Sequence, residues 1–236
     1  MRPQIITTAK EPIRKTSPAA ARSSDSLFEH VAWVYAFCRE RLFRDDTDRI
    51  VATLWPNGGA LPGTQVIELG CGPGFYSANL AKRVPNIFVT GVDRSENQLK
   101  WARERAEAEG LRNCSFVRVN VLNLPFADAQ FDILLAARLF TVLPDCARAV
   151  AEMHRVLKSG GRGFIAEPRY AIWASIPLTA MWLLARMTHS GNGYREPRTA
   201  TVFSPTEFEK LFSSQPWRRL ETWQDGRYQY ALCEKH

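Results

Sequence analysis

The chain has 236 residues, 45% of them hydrophobic and 23% charged, with a formal net charge of +7. That length supports one full hydrophobic core without staples. Residues 1–26 hold +3 of the charge, so the body is only mildly basic and has no Lys/Arg run of the kind that marks a nucleic-acid groove.

The five cysteines, Cys38, Cys71, Cys114, Cys146 and Cys233, are scattered and form no C-x-x-C. They argue against a disulfide framework or a metal site and suit a reducing cytoplasm. No apolar run reaches the ~20 residues that span a bilayer, and the N-terminus lacks the apolar stretch of a secretory signal. Residues 1–25, rich in Pro, Ser, Thr, Ala and Arg without periodicity, read as a disordered tail, with an organelle-targeting segment as the alternative. The remainder, 26–236, reads as one domain.

From Leu27 to Leu54 the apolar residues recur at helical spacing, which predicts one or two helices, a helical cap over 26–60. After the loop 56–65, strands and helices alternate. Strands are expected at 65–69, 87–92, 115–119, 131–136 and 163–167, and helices at 76–83, 96–109 and 146–157. This order implies βαβ units and a Rossmann-like, doubly wound, mostly parallel sheet. "KSGGR" (158–162) reads as a helix stop with capping glycines. Residues 169–203 break the pattern and read as a lid or substrate insertion. Within them Ala171–Ala185 is apolar nearly all round if helical, which suits a buried helix, a wall for an apolar substrate or a patch that meets lipid. Ser204, Pro205 and Glu207 form a helix start with a capping box. "DG" at 225–226 sits between two strand-like runs and predicts an antiparallel C-terminal hairpin.

The chemistry is concentrated in "VIELGCGPGFYS" (66–77), a strand, a glycine turn and a helix start. Ligands of such sheets lie beyond the carboxyl ends of the strands. The spacing is G-x-G-x-G (Gly70, Gly72, Gly74), and Phe75 stands where a dinucleotide fingerprint has its third glycine. Glu68 would repel a diphosphate and suits a cation. Asp93 ends the second strand, where a carboxylate can accept both hydroxyls of a ribose. Dinucleotides and S-adenosylmethionine both carry one, so Asp93 alone does not discriminate.

"VIELGCGPGFYSANLA" and "VTGVDRSENQLKWARERA" together resemble the class I S-adenosylmethionine-dependent methyltransferases, most closely the ubiquinone/menaquinone-biosynthesis subgroup. The resemblance runs over about 64–168. It implies that Glu68 and the backbone of Gly70, Cys71, Gly72 and Gly74 face the methionine portion, that Asp93 holds the ribose and that Arg94 flanks the adenine. Where the family has an Asp, this chain has Asn120, followed by Val121; an amide oxygen can still accept from the adenine amine and the Val121 N–H can still donate. Gln98 either reaches the nucleoside or is an exposed helix residue. Arg138 either lies at the methionine end or pairs with a surface acid.

For the substrate side the candidates are Trp33 and Tyr35 on the first helix, then His189, Tyr194 and Arg195 after the apolar stretch, with His30 and His189 as possible bases. No residue is singled out as catalytic, because positioning alone can carry methyl transfer. The expectation is a cytoplasmic enzyme acting on a small, partly apolar molecule, lipid or quinone-like, with peripheral lipid contact possible. An RNA methyltransferase and a non-catalytic cofactor-binding module are the alternatives.

Overall fold

The computed structural model describes residue 27 and residues 31–41, 44–56, 58–188 and 199–236. The tail, His30, His189, Tyr194 and Arg195 lie outside the described residues.

Seven strands form one sheet in the order β3-β2-β1-β4-β5-β7-β6. The strands are β1 (Gln65–Leu69), β2 (Phe88–Asp93), β3 (Cys114–Arg118), β4 (Phe131–Ala137), β5 (Leu157–Pro168), β6 (Trp217–Asp225) and β7 (Tyr228–Lys235). The first five pair in parallel, while β7 runs antiparallel to β5 and β6. β1 and β4 take the centre, where both faces are covered and nearly every residue is buried. β6 takes an edge, with the charged Arg218, Arg219 and Glu221 along it, which discourages pairing with another chain.

Helices α1 (Ala32–Arg41), α2 (Thr47–Leu54), α3 (Phe75–Arg83), α4 (Glu96–Ala108), α5 (Cys146–Val156), α6 (Ala171–Thr188) and α7 (Pro205–Phe212) surround the sheet. One core cluster joins Leu69, Leu134 and Ile165 to Met153 of α5 and Phe208 of α7; a second joins Val66, Leu135 and Phe164 to Ile50 of α2 and Leu80 of α3. The two clusters are the two faces of the sheet, as the alternating directions of successive strand residues require.

The C-terminal hairpin is anchored from outside. Asp225, in its turn, accepts from Arg44 and Arg49, and the buried Asp46 accepts from Tyr230 Oη at 3.3 Å. The expected capping box is present: Ser204 Oγ accepts from Glu207 N, and the Glu207 carboxylate accepts from Ser204 N at 2.8 Å. Ser204→Ala should cost about 1 kcal/mol of unfolding free energy, measurable by urea titration.

Two expectations are corrected. "KSGGR" is not a helix cap: α5 is capped at Leu157, and 158–161 form a bulge, since β4 pairs Phe131 with Leu157 and then Ile133 with Arg162. Lys158 Nζ clamps the bulge by donating to both carboxylate oxygens of Asp132 at 2.8 and 2.9 Å. The stretch after Pro168 is a helix, but only half of it is buried. Ala174, Leu178, Met181 and Ala185 face inward; Ile172, Ile176, Leu183 and Met187 face solvent.

Candidate active site

The strand order reverses beside β1, which lies between β2 and β4. A crevice opens at such a point beyond the carboxyl ends of the strands. Here it is a cavity of about 670 Å³, within the range of small-molecule sites.

Its floor is the glycine turn after β1. Gly70 has φ +68°, a left-handed backbone that favours glycine, and a Cβ there would lie 2.8 Å from Leu139 Cδ1, which would have to move. Gly72 lies against the Tyr35 ring, 3.3 Å from where its Cβ would be. Gly74 serves packing rather than the cavity: a Cβ would meet Ala102 Cβ at 2.8 Å and the Phe116 ring at 3.0 Å.

Asp93 joins this turn to the next. Its Oδ2 accepts from Gly72 N at 2.9 Å, and its Oδ1 accepts from Ser95 N at 2.9 Å. Ser95 in turn caps α4 by accepting from Gln98 N. Burial pushes the Asp93 carboxyl above its usual range, opposed by those N–H donors and by Arg94.

Arg94, Gln98, Asn120, Val121 and Arg138 line the cavity with Gly70, Gly72, Asp93 and Tyr35. Gln98 is buried at the cavity and is not an exposed helix residue; it is 1% exposed. Asn120 uses its Oδ1 locally, accepting from Leu122 N at 3.1 Å. Arg138 lines the cavity, and its Nη1 donates to Tyr228 Oη at 3.2 Å.

Other expected residues turn their side chains away from the cavity. Glu68 sits buried beneath the glycine turn and accepts from Ser77 Oγ, so it buttresses the loop from below. Cys71 is buried among Leu99, Ala102 and Phe116. Trp33 is 55% exposed and does not line the cavity.

The sequence reading assigned no role to Glu167. It is 1% exposed at the end of β5, and its Oε1 accepts from Leu139 N at 2.7 Å and Phe140 N at 2.9 Å. Those residues follow Arg138, which holds a left-handed backbone at φ +58°. Glu167 thus pins a strained turn whose members Arg138, Leu139 and Thr141 form one wall of the cavity. The available signal was an acid ending an apolar strand just before Pro168. The cavity's far end is apolar, made of Val142, Leu143 and Pro144 with Ala174, Pro177 and Leu178 of α6.

A family model described as "Methyltransferase domain" matches residues 61–227. The chain belongs to this methyltransferase family. The methyltransferase domain is 34% identical over 151 residues to a 2-phytyl-1,4-naphtoquinone methyltransferase of Nostoc sp., covering 60% of this chain and 63% of that one. It is 38% identical over 101 residues to a demethylmenaquinone methyltransferase of Listeria welshimeri, covering 42% and 43%. The chain thus spans less than two thirds of the length of these curated relatives. Among solved structures, an S-adenosyl-L-methionine-dependent methyltransferase of Methanococcus maripaludis, described as putative, superimposes with a TM-score of 0.65 at 18% identity, over 91% of this chain and 96% of that one. The Rossmann-like fold is shared.

The cofactor of the methyltransferase domain is S-adenosylmethionine, and the residues present fit it. The turn at Gly70 and Gly72 leaves no Cβ between backbone and ligand, and Asp93 and Asn120 line the cavity beside it. Among the described residues no cluster of His, Cys, Asp or Glu could hold a metal ion. None of their helices is long and apolar enough to cross a membrane.

Proposed function

We propose that this protein transfers the methyl group of S-adenosylmethionine to a small, partly apolar, quinone-like acceptor. The observation that carries this reading is the two-ended cavity, polar at Asp93, Gln98 and Asn120 and aliphatic from Val142 to Leu178. The named activities of the Nostoc and Listeria relatives support it.

When bound, the cofactor supplies a methyl group activated on a sulfonium. The chain's contribution is positioning: Asp93 holds the ribose, Arg94 and Val121 border the adenine, and Tyr35 closes the glycine turn from α1. Among the described residues, Tyr35, Asp93, Arg94 and Arg138 are the titratable groups lining the cavity. Arg138 stands on the turn that carries the apolar wall, where a guanidinium favours the ionised form of an acceptor hydroxyl. Such an acceptor needs no separate base, and a naphthoquinol fits that description. Among the described residues the far wall is aliphatic, which suits it better than RNA. Residues 26–60 act in this reading as a cap over the cofactor and 169–203 as a lid, and contact with lipid follows from the acceptor's own solubility.

The test is label transfer from methyl-labelled S-adenosylmethionine to a short-chain demethylated naphthoquinol, with bulk transfer RNA in parallel. Labelled naphthoquinol is the expected product. Label in RNA alone overturns the assignment.

A further inference from the structure

α6 is apolar on both sides, which an ordinary surface helix is not. Its inner face packs Met181 and Ala185 against Val31, Val34 and Cys38 of the α1 region, and Ala174 and Leu178 around Ala200. Its outer face carries Ile172 at 70%, Ile176 at 42%, Leu183 at 64% and Met187 at 77% exposure. Their spacing, i, i+4, i+11 and i+15, is that of a single narrow stripe along a helix. Neighbouring α1 also turns two large apolar side chains outward one helical turn apart, Trp33 and Phe37. Isolated exposed apolar residues need no explanation, but a stripe along a whole helix does.

The charges on α6 and the two residues before it have one sign. Residues 169–188 contain Arg169 and Arg186 and no acid. Arg227, from the hairpin turn, lies over the Trp173 ring at 4.0 Å, and Arg169 over the Tyr170 ring at 5.5 Å. Aromatic rings and arginines flanking an apolar stripe match the headgroup level of a bilayer with anionic lipid. A second copy of the chain would instead bring Arg169, Arg186 and Arg227 toward their like. The same two helices wall the cavity, through Tyr35 and through Ala174, Pro177 and Leu178.

We infer that the outer faces of α6 and α1 dock on the surface of an anionic phospholipid bilayer, with α6 lying in the plane of the membrane, and that an apolar acceptor reaches the cavity between them. α6 is roughly 27 Å long, and its inner face is packed on the protein from Ala174 to Ala185, so only its outer side can meet the interface. The surface stands on its own; its use as the acceptor's entrance rests on the methyl-transfer reading above.

The full chain should co-float with vesicles of phosphatidylcholine plus phosphatidylglycerol and bind phosphatidylcholine vesicles less. Leu183→Asp combined with Met187→Asp should weaken that partition about tenfold or more, since two apolar side chains leave the lipid and two anions meet it. Arg186→Gln should weaken it about fivefold, the equivalent of ~1 kcal/mol for one arginine at an anionic surface. Both variants should keep the wild-type melting temperature and cofactor affinity, because the three side chains are exposed. Failure to float, or equal flotation of the double variant, overturns the inference. So does a solution dimer that the double variant dissociates, which makes a second copy the occupant. Flotation uses no acceptor, so a failed label-transfer assay leaves the docking result intact. If both hold, the double variant should slow methylation of a long-chain quinol in vesicles and leave a soluble short-chain quinol unaffected.

Discussion

Asp93→Ala should weaken S-adenosylmethionine and S-adenosylhomocysteine binding by about 100-fold or more. Two hydroxyl donors to one carboxylate are worth about 1.5–3 kcal/mol each, and in the alanine variant both are lost. The same carboxylate accepts from Gly72 N and Ser95 N, so the variant also loosens the glycine turn and the start of α4. Asp93→Asn separates the two effects. Its one amide oxygen retains an acceptor for the loop, so melting should stay close to wild type while affinity still falls at least tenfold. Calorimetric titration of the three proteins with both ligands, beside thermal melts, is the measurement. Unchanged affinity in Asp93→Asn would remove Asp93 from the ribose contact and leave it a purely structural link between two turns.

The second large effect is at Glu167. Glu167→Ala leaves the N–H groups of Leu139 and Phe140 buried without an acceptor, at about 1–3 kcal/mol each. A domain of this size loses about 2–4 °C per kcal/mol, so a fall of roughly 5–15 °C is expected. Activity should fall further than stability, because the Arg138–Thr141 turn is a wall of the cavity. Glu167→Gln keeps one acceptor oxygen and should recover most of the stability.

The pH dependence has a defined sign. Burial raises the Glu167 pKa to about 7, against the opposing pull of the Phe140 N–H, Arg138 and the Leu139 and Thr141 N–H groups. The folded state therefore binds the proton more tightly than the unfolded chain, whose glutamate titrates near the ordinary value. The stabilisation is full below about pH 4.5 and is lost as pH rises through about 7. Glu167 Oε2 and Gln229 Oε1 are both buried without a hydrogen-bond partner among the described residues, and the two residues are cross-strand partners. A proton on Glu167 would supply the donor that this pair of acceptors lacks. Wild-type unfolding free energy should thus decline between about pH 5 and 8 more steeply than that of Glu167→Gln. Parallel urea titrations across that range test this, and identical slopes would place the titration elsewhere.

Much of this protein was written in local pattern. The alternation of apolar runs with helical periods dictated the parallel strands, because each element must bury one face whatever its neighbours are. The glycine spacing, Asp93 at a strand end and the Ser204–Glu207 cap were legible for the same reason: a turn, a strand end and a cap are made by residues within a few positions of one another. Gln98 and Arg138 were legible only as alternatives. One belongs to α4 and the other follows β4, both far along the chain from the glycine turn, and no local rule brings such separated segments together.

Only the tertiary structure decided the rest. The direction of the Glu68 side chain followed from Ser77 lying beneath it on α3. The bulge at 158–161 followed from the register that β4 imposes on β5, which put "KSGG" in the strand instead of in the cap of the helix that ends just before it. Glu167 acquired its function from the turn after β4, with the whole of α5 intervening in the chain. The outer face of α6 could not be told from its inner face in a sequence apolar on both. Composition states how much apolar surface a helix has; what lies against each side is a property of the packed chain.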